Sequence, residues 1–183
     1  VRDPGRLDKI VGKVALGSGK EVDQAVQAAH LAFLSWRRLD VEERISRVQA
    51  AGEVLKESID ELAPLLSSEH GGLLREAKMD FNAGYARFGD YAGVVASFMQ
   101  PEQKEDEISW ISIEKRPKGV VAAIVPWNMP IVLTMMKLVP ALMTGNTIVV
   151  KPSPNAPLAL TALLKRMAAV LPDGVINVVN GGS

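Results

Sequence analysis

The chain has 183 residues, 48% hydrophobic and 23% charged, a globular balance that argues against disorder. Lys+Arg and Asp+Glu number 21 each, so no basic surplus points to nucleic acid and no acidic tail to a solvating arm. With no cysteine, these residues hold no disulfide, thiolate zinc site or cysteine nucleophile, which fits a reducing compartment.

Val1 to Leu7 reads as loop, and Ile10 to Leu16 alternates weakly around Gly12 and Gly17 as a short edge strand. Neither stretch has the apolar core of a signal peptide, and the apolar runs further on fall short of the ~18 residues a membrane helix needs. A cytoplasmic protein with no membrane and no nucleic-acid partner is expected. From Glu21 to Arg38, Val22, Ala25, Val26, Ala29, Phe33 and Trp36 fall at helical spacing and form one apolar stripe. Asp40 and Glu43 make a capping-box pattern, worth about 1 kcal/mol, that opens a helix with Ile45, Val48 and Leu55 on its buried face. Ser58 and Glu61 repeat the pattern ahead of a helix with Pro64 early in it and Gly71 and Gly72 at its end. Leu74, Ala77, Phe81, Tyr85, Phe88, Tyr91, Val95 and Phe98 then mark a long helix with an aromatic-rich core face. His30 and His70 lie on or after these helices as surface or capping residues; two histidines rarely build a metal site.

Pro101 to Glu107 reads as a solvated loop. Ile108 to Lys115 reads as a strand reaching away from the sheet, with Trp110, Ile111 and Ile113. After a turn at Arg116 to Gly119, Val120 to Val125 is a run of six apolar residues, too short for a helix and typical of a strand buried on both faces. Pro126 and Pro130 bracket a rigid turn, a helix begins at about Ile131 and stops near Gly145 and Asn146, and Thr147 to Lys151 is a second strand. Pro152, Pro154 and Pro157 punctuate the next loop, Leu158 to Val170 is helical, and Val175 to Val179 is a third strand ahead of NGGS. Strands joined by helices of about a dozen residues imply right-handed crossovers and a parallel sheet, so the class is α/β. Ligands in open α/β sheets bind outside the carboxyl ends of the strands, where Asn128, Lys151 and Asn180 to Ser183 all fall.

Taken alone, these residues leave alternatives open. Asn128 either caps the helix that follows or aims its amide at an oxygen that becomes anionic. Lys151 is either solvated or reaches the hydroxyls and phosphates of a dinucleotide. Lys137, alone in an apolar helix, either snorkels out or points into a polar cavity. Gly181 and Gly182 make a plain turn or admit a pyrophosphate close to the backbone, and Trp127 is core or cofactor wall.

PWN after an apolar strand, KLVPAL, a GN turn, a strand ending in KPS, and PDGVINVVNGG together resemble the aldehyde dehydrogenase superfamily. The stretch from Glu21 to Gly71 is similar to that family's amino-terminal helices, so the resemblance covers nearly all of the chain. It implies amino-terminal helices packed on a parallel Rossmann-like sheet, incomplete at the carboxyl end. Residues 1–100 would be the helical part of a cofactor-binding domain, 101–119 an extended oligomerisation arm and 120–183 its βαβαβ part, with the catalytic domain absent.

The implied reaction is NAD(P)-dependent oxidation of an aldehyde to a carboxylic acid through a cysteine thiohemiacetal, the nucleophilic cysteine and general-base glutamate lying beyond this chain. Asn128 would be the oxyanion donor and Lys137 a residue near the active site, in a proton relay or holding a structural water. Lys151 and Ser153 would contact the adenosine ribose, while Ile124, Val125, Pro126 and Trp127 flank the cofactor and Gly181 approaches its pyrophosphate. Pro154 stands where many NAD-preferring members carry a ribose-binding glutamate, which admits NADP beside NAD, with Lys151 and Ser153 near the 2′ position. A small-molecule aldehyde and a homo-oligomer, dimer or tetramer, complete the expectation. The competing readings are a catalytically incompetent binding or structural fragment and a related acyl-CoA-forming or semialdehyde dehydrogenase.

Overall fold

A computed structural model describes residues 1–182. Three parallel strands carry the architecture: β5 (Val120–Ile124), β6 (Thr147–Lys151) and β7 (Ile176–Val178), in the order β5-β6-β7. β6 lies in the middle, and its Thr147–Val150 are all buried, as expected of a strand covered on both faces. The crossovers are α5 (Pro130–Met143) and α6 (Leu158–Ala168). Four helices precede the sheet: α1 (Gly19–Trp36), α2 (Val41–Glu57), α3 (Ile59–His70) and α4 (Leu74–Phe98). The mixed α/β class and the parallel order match the sequence reading, and Ser183, the last residue of NGGS, lies outside the described residues.

One core joins the two halves. Trp36 is buried and its indole Nε1 donates to the Leu142 carbonyl at 3.0 Å, which satisfies a polar atom that burial would otherwise strand. α4 lies close along α5, because a side chain at Gly84 would meet Ile131 at 3.0 Å and Met135 at 3.3 Å. Asn146 ties the strand starts together, its Oδ1 accepting from the backbone N–H of Lys118 at 2.7 Å and of Gly119 at 3.0 Å.

Several local expectations are corrected. Val1 to Leu7 is not all loop, and the strand expected over Ile10 to Leu16 does not continue past Ile10. Instead β1 (Arg2–Asp3) and β2 (Arg6–Ile10) make a hairpin, turned at Pro4 and Gly5 with the Gly5 N–H donating to Asp3 Oδ1 at 2.9 Å. PEQKEDE is not all loop: β3 (Glu102–Glu105) pairs antiparallel with β4 (Trp110–Ile113). A charged run forms a strand there because the two-stranded ribbon stands in solvent, so its faces need no apolar alternation. Asp106 closes the hairpin by accepting from the N–H of Ile108 at 2.9 Å and of Ser109 at 2.7 Å.

Neither expected capping box forms. Glu43 pairs with Arg47 at 2.7 Å instead of returning to Asp40, and Ser58, the single residue between α2 and α3, is itself in helical conformation with its hydroxyl donating to Val54 O. A capping box does form between Ser18 and Glu21, at the start of α1. The α1 stripe buries only its second half; Val22 and Val26 stay exposed while Ala29, Phe33 and Trp36 are in the core.

Candidate functional site

Parallel pairing puts the carboxyl ends of β5 and β6 side by side. Ile124 is the register partner of Lys151, and the Val125 N–H donates to the Lys151 carbonyl at 3.2 Å. Asn128 follows three residues after that bond, in a turn whose other boundary is Pro130 at the first position of α5. Asn128 and Lys151 therefore leave the same rim of neighbouring strands. Val125 is buried, while Ile124, Pro126, Trp127 and Asn128 are exposed, Ile124 by 73%. An exposed isoleucine in register with a lysine gives the rim an apolar surface beside a cation.

Three hollows follow one another along this rim. One of about 330 Å³ is lined by Asn128, Trp127, Met129, His70 and Met79 among others. A second, about 380 Å³, shares Trp127 and His70 with it and reaches Pro154 and Asn155. A third, about 340 Å³, shares Pro154 and extends to Asn180 and Gly181. Asn128 and Trp127 thus line the first hollow, Trp127 and Pro154 the second, and Pro154 and Gly181 the third. Lys151 and Ser153, both partly buried, line none of these hollows; Ser153 Oγ accepts from the Asn155 N–H at 3.3 Å within its own loop. Lys137 lines none of them either; it stands exposed on α5 with Nζ donating to Leu133 O at 3.1 Å. A larger hollow, about 720 Å³, lies on the flank between residues 11–17 and α6, away from Asn128.

Two carboxylates, each on a residue that also lines one of these hollows, hold the rim. Asp80, on α4, accepts from the N–H of Ile131 at 3.0 Å through Oδ2 and of Val132 at 2.8 Å through Oδ1, at the start of α5. Glu69, in the last turn of α3, accepts from the N–H of Leu158 at 2.6 Å and of Ala159 at 2.9 Å, at the start of α6. Each satisfies two orphan donors and sets an acidic group at the positive end of a helix. Asn128 does not cap α5: the N-cap is Met129, and its side chain makes no capping bond. Burial pushes the Glu69 carboxyl up to about 7 and raises Asp80 as well, against the pull of the two N–H bonds that each receives. The other end of α5 is closed by a buried cation, Arg44, whose Nε donates to Met143 O at 3.1 Å and whose Nη1 donates to Leu39 O. His70 turns its Nδ1 to the Gly72 N–H at 2.8 Å, and burial lowers its pKa.

Sequence reasoning passed over Glu69, Asp80 and Arg44. Asp80 falls in the buried stripe of α4 between Ala77, Phe81 and Gly84, and Glu69 is an acid in the last turn of a helix, where the macrodipole disfavours one, but neither placement names the distant helix start that each acid holds.

The chain matches the aldehyde dehydrogenase family over residues 1–183. It is 34% identical over 170 residues to a fluoroacetaldehyde dehydrogenase of Streptantibioticus cattleyicolor, covering 92% of this chain and 34% of that relative. Among solved structures, betaine aldehyde dehydrogenase from Staphylococcus aureus in complex with NAD+ superposes with a TM-score of 0.92 at 31% identity, over 100% of this chain and 37% of that one. An NADP dependent enzyme of E. coli superposes with a TM-score of 0.93 at 31% identity, over 100% and 38% respectively. The chain therefore spans little more than a third of the length of the proteins it matches.

Proposed function

Because the chain belongs to the aldehyde dehydrogenase family, we propose that it is the amino-terminal part of an NAD(P)-dependent dehydrogenase that oxidises an aldehyde to a carboxylic acid. The observation that carries the reading is the shared rim: Asn128 and Lys151 emerge from register-paired parallel strands, at the edge where open α/β sheets take their ligands.

In this reading the Asn128 amide donates to the aldehyde oxygen as negative charge develops on it, a neutral donor that does not compete as an acid. Lys151 and Ser153 present an ammonium and a hydroxyl to ribose and phosphate oxygens, and exposed Ile124 and Trp127 supply the apolar wall that a flat ring needs. This donor set fits a nicotinamide dinucleotide, which supplies the two-electron acceptor when bound. Pro154 accepts no hydrogen bond through its side chain, so discrimination at the ribose falls to Lys151 and Ser153, and NADP is admitted beside NAD. Lys137 in a proton relay needs a side chain turned away from Leu133 O. The β3–β4 hairpin, with Trp110 61% and Ile111 50% exposed, serves as an arm between subunits; sedimentation of the full-length gene product as a monomer at high concentration would count against this.

Replacing Asn128 by Ala in the full-length gene product is expected to lower kcat on the order of 10² to 10³, with cofactor affinity retained. An unchanged kcat removes the oxyanion role. This chain holds no cysteine, so assayed alone it is expected to show no aldehyde oxidation; turnover by it would contradict the cysteine route. A gene that encodes no cysteine and glutamate in suitable contexts after Ser183 would favour the fragment reading. Product analysis with coenzyme A present separates the acyl-CoA-forming alternative.

A further inference from the structure

Each of the two rim turns is followed by a helix whose first N–H groups are held by a buried carboxylate from the α3–α4 pair, Asp80 for α5 and Glu69 for α6. Both are almost fully enclosed, at 3% and 2% exposed, and each spends its two oxygens on two consecutive N–H groups. A carboxylate shared in this way opposes rotation as well as sliding, since either motion lengthens one of the two bonds. The Asn128 turn is consequently anchored three residues back, at the Val125–Lys151 bond, and three residues on, at Ile131. The loop after Lys151 is held by the Ala156 N–H donating to Ser153 O at 3.3 Å and then by Glu69 at Leu158.

We infer that Asp80 is the positioning residue for the Asn128 amide and Glu69 the positioning residue for the loop carrying Lys151 and Ser153, an inference that rests on the function proposed above. Asp80 lines the hollow beside Asn128 and Glu69 the one that reaches Pro154, but the oxygens of both are turned to helix N–H groups. They act through helix placement, so their effects separate along the two functions of the rim.

The test is a crossed pair of near-isosteric variants in the full-length gene product, Asp80→Asn and Glu69→Gln. Each keeps one acceptor oxygen and turns an amide NH2 toward the second N–H. Asp80→Asn is expected to lower kcat about 10- to 100-fold with the cofactor KM moved less than about threefold, and Glu69→Gln to raise the cofactor KM by a larger factor than it lowers kcat. Hydrogen exchange gives a readout independent of turnover: Asp80→Asn accelerates exchange at Ile131 and Val132 and leaves Leu158 and Ala159 unchanged, and Glu69→Gln does the reverse. Parallel losses in kcat and KM, or exchange rising at both helix starts in both variants, would overturn the inference. If Asp80→Asn does not accumulate as folded protein, Asp80→Ser, whose hydroxyl accepts one N–H, is measured by the same exchange comparison. Asn128→Ala separates the two levels. Unchanged kcat in that variant defeats the oxyanion reading while the exchange pattern still decides the positioning. A reduced kcat there, with Asp80→Asn silent in both readouts, defeats the positioning alone.

Discussion

The helices α5 and α6 occupy equivalent places, each leaving one strand of the parallel sheet and leading to the next, yet they are held differently. α5 is closed at both ends by groups of the sign its dipole asks for, Asp80 at the start and buried Arg44 at the end, with the Trp36 indole on the neighbouring carbonyl. α6 has a buried acid at its start, but its last turn carries only its own Lys165 and Arg166, the latter in an exposed pair with Glu61. The difference shows where the molecule spends its buried polar groups: on both ends of the helix that follows the Asn128 turn.

Four substitutions press on that contrast. Trp36→Ala removes both a large core side chain and the bond to Leu142, and is expected to destabilise the fold by about 3–5 kcal/mol in urea unfolding; Trp36→Phe, which keeps most of the volume, by about 1 kcal/mol. Asp80→Ala leaves two buried N–H groups bare and is expected to lose about 3 kcal/mol, more than Glu69→Ala if α5 is the more tightly held helix. A loss equal to that at Glu69 would erase the contrast.

Glu69 brings a pH dependence. Its carboxyl binds a proton more tightly in the fold, near 7, than in the unfolded chain, near 4.5. The stability it contributes is fullest below the unfolded value and declines as pH rises through about 7. Unfolding at about pH 5 and about pH 8 is expected to show the native chain losing about 2 kcal/mol relative to Glu69→Gln, which has no proton to release. The smallest effect is expected at the exposed Ser18–Glu21 box, where Ser18→Ala changes unfolding by about 1 kcal/mol or less.

The strand and crossover pattern of the second half was legible because it rests on local signals: β-branched runs, prolines at helix starts and glycines at turns. Asn128 and Lys151 could be placed on one rim for the same reason, since parallel pairing follows from crossover length. Asp80, Glu69 and Arg44 were not legible, because an acid or a base among helical polar residues looks the same whether it faces solvent or a distant helix end. Their partners lie 51, 89 and 99 residues away. The β3 strand was missed for the opposite reason: a ribbon with two wet faces leaves no hydrophobic alternation to read.

The same separations bear on how the protein acquires its shape. The two carboxylates are made before the backbone groups they will hold, and loops of this length must close before either pair of bonds forms. α3 and α4 are free to coil from local interactions early, during synthesis, while the turns at Asn128 and Ser153 settle only when the later helices dock. The rim turns are thus expected to be fixed late, and a slow step in refolding to belong to them and not to the helices that hold them.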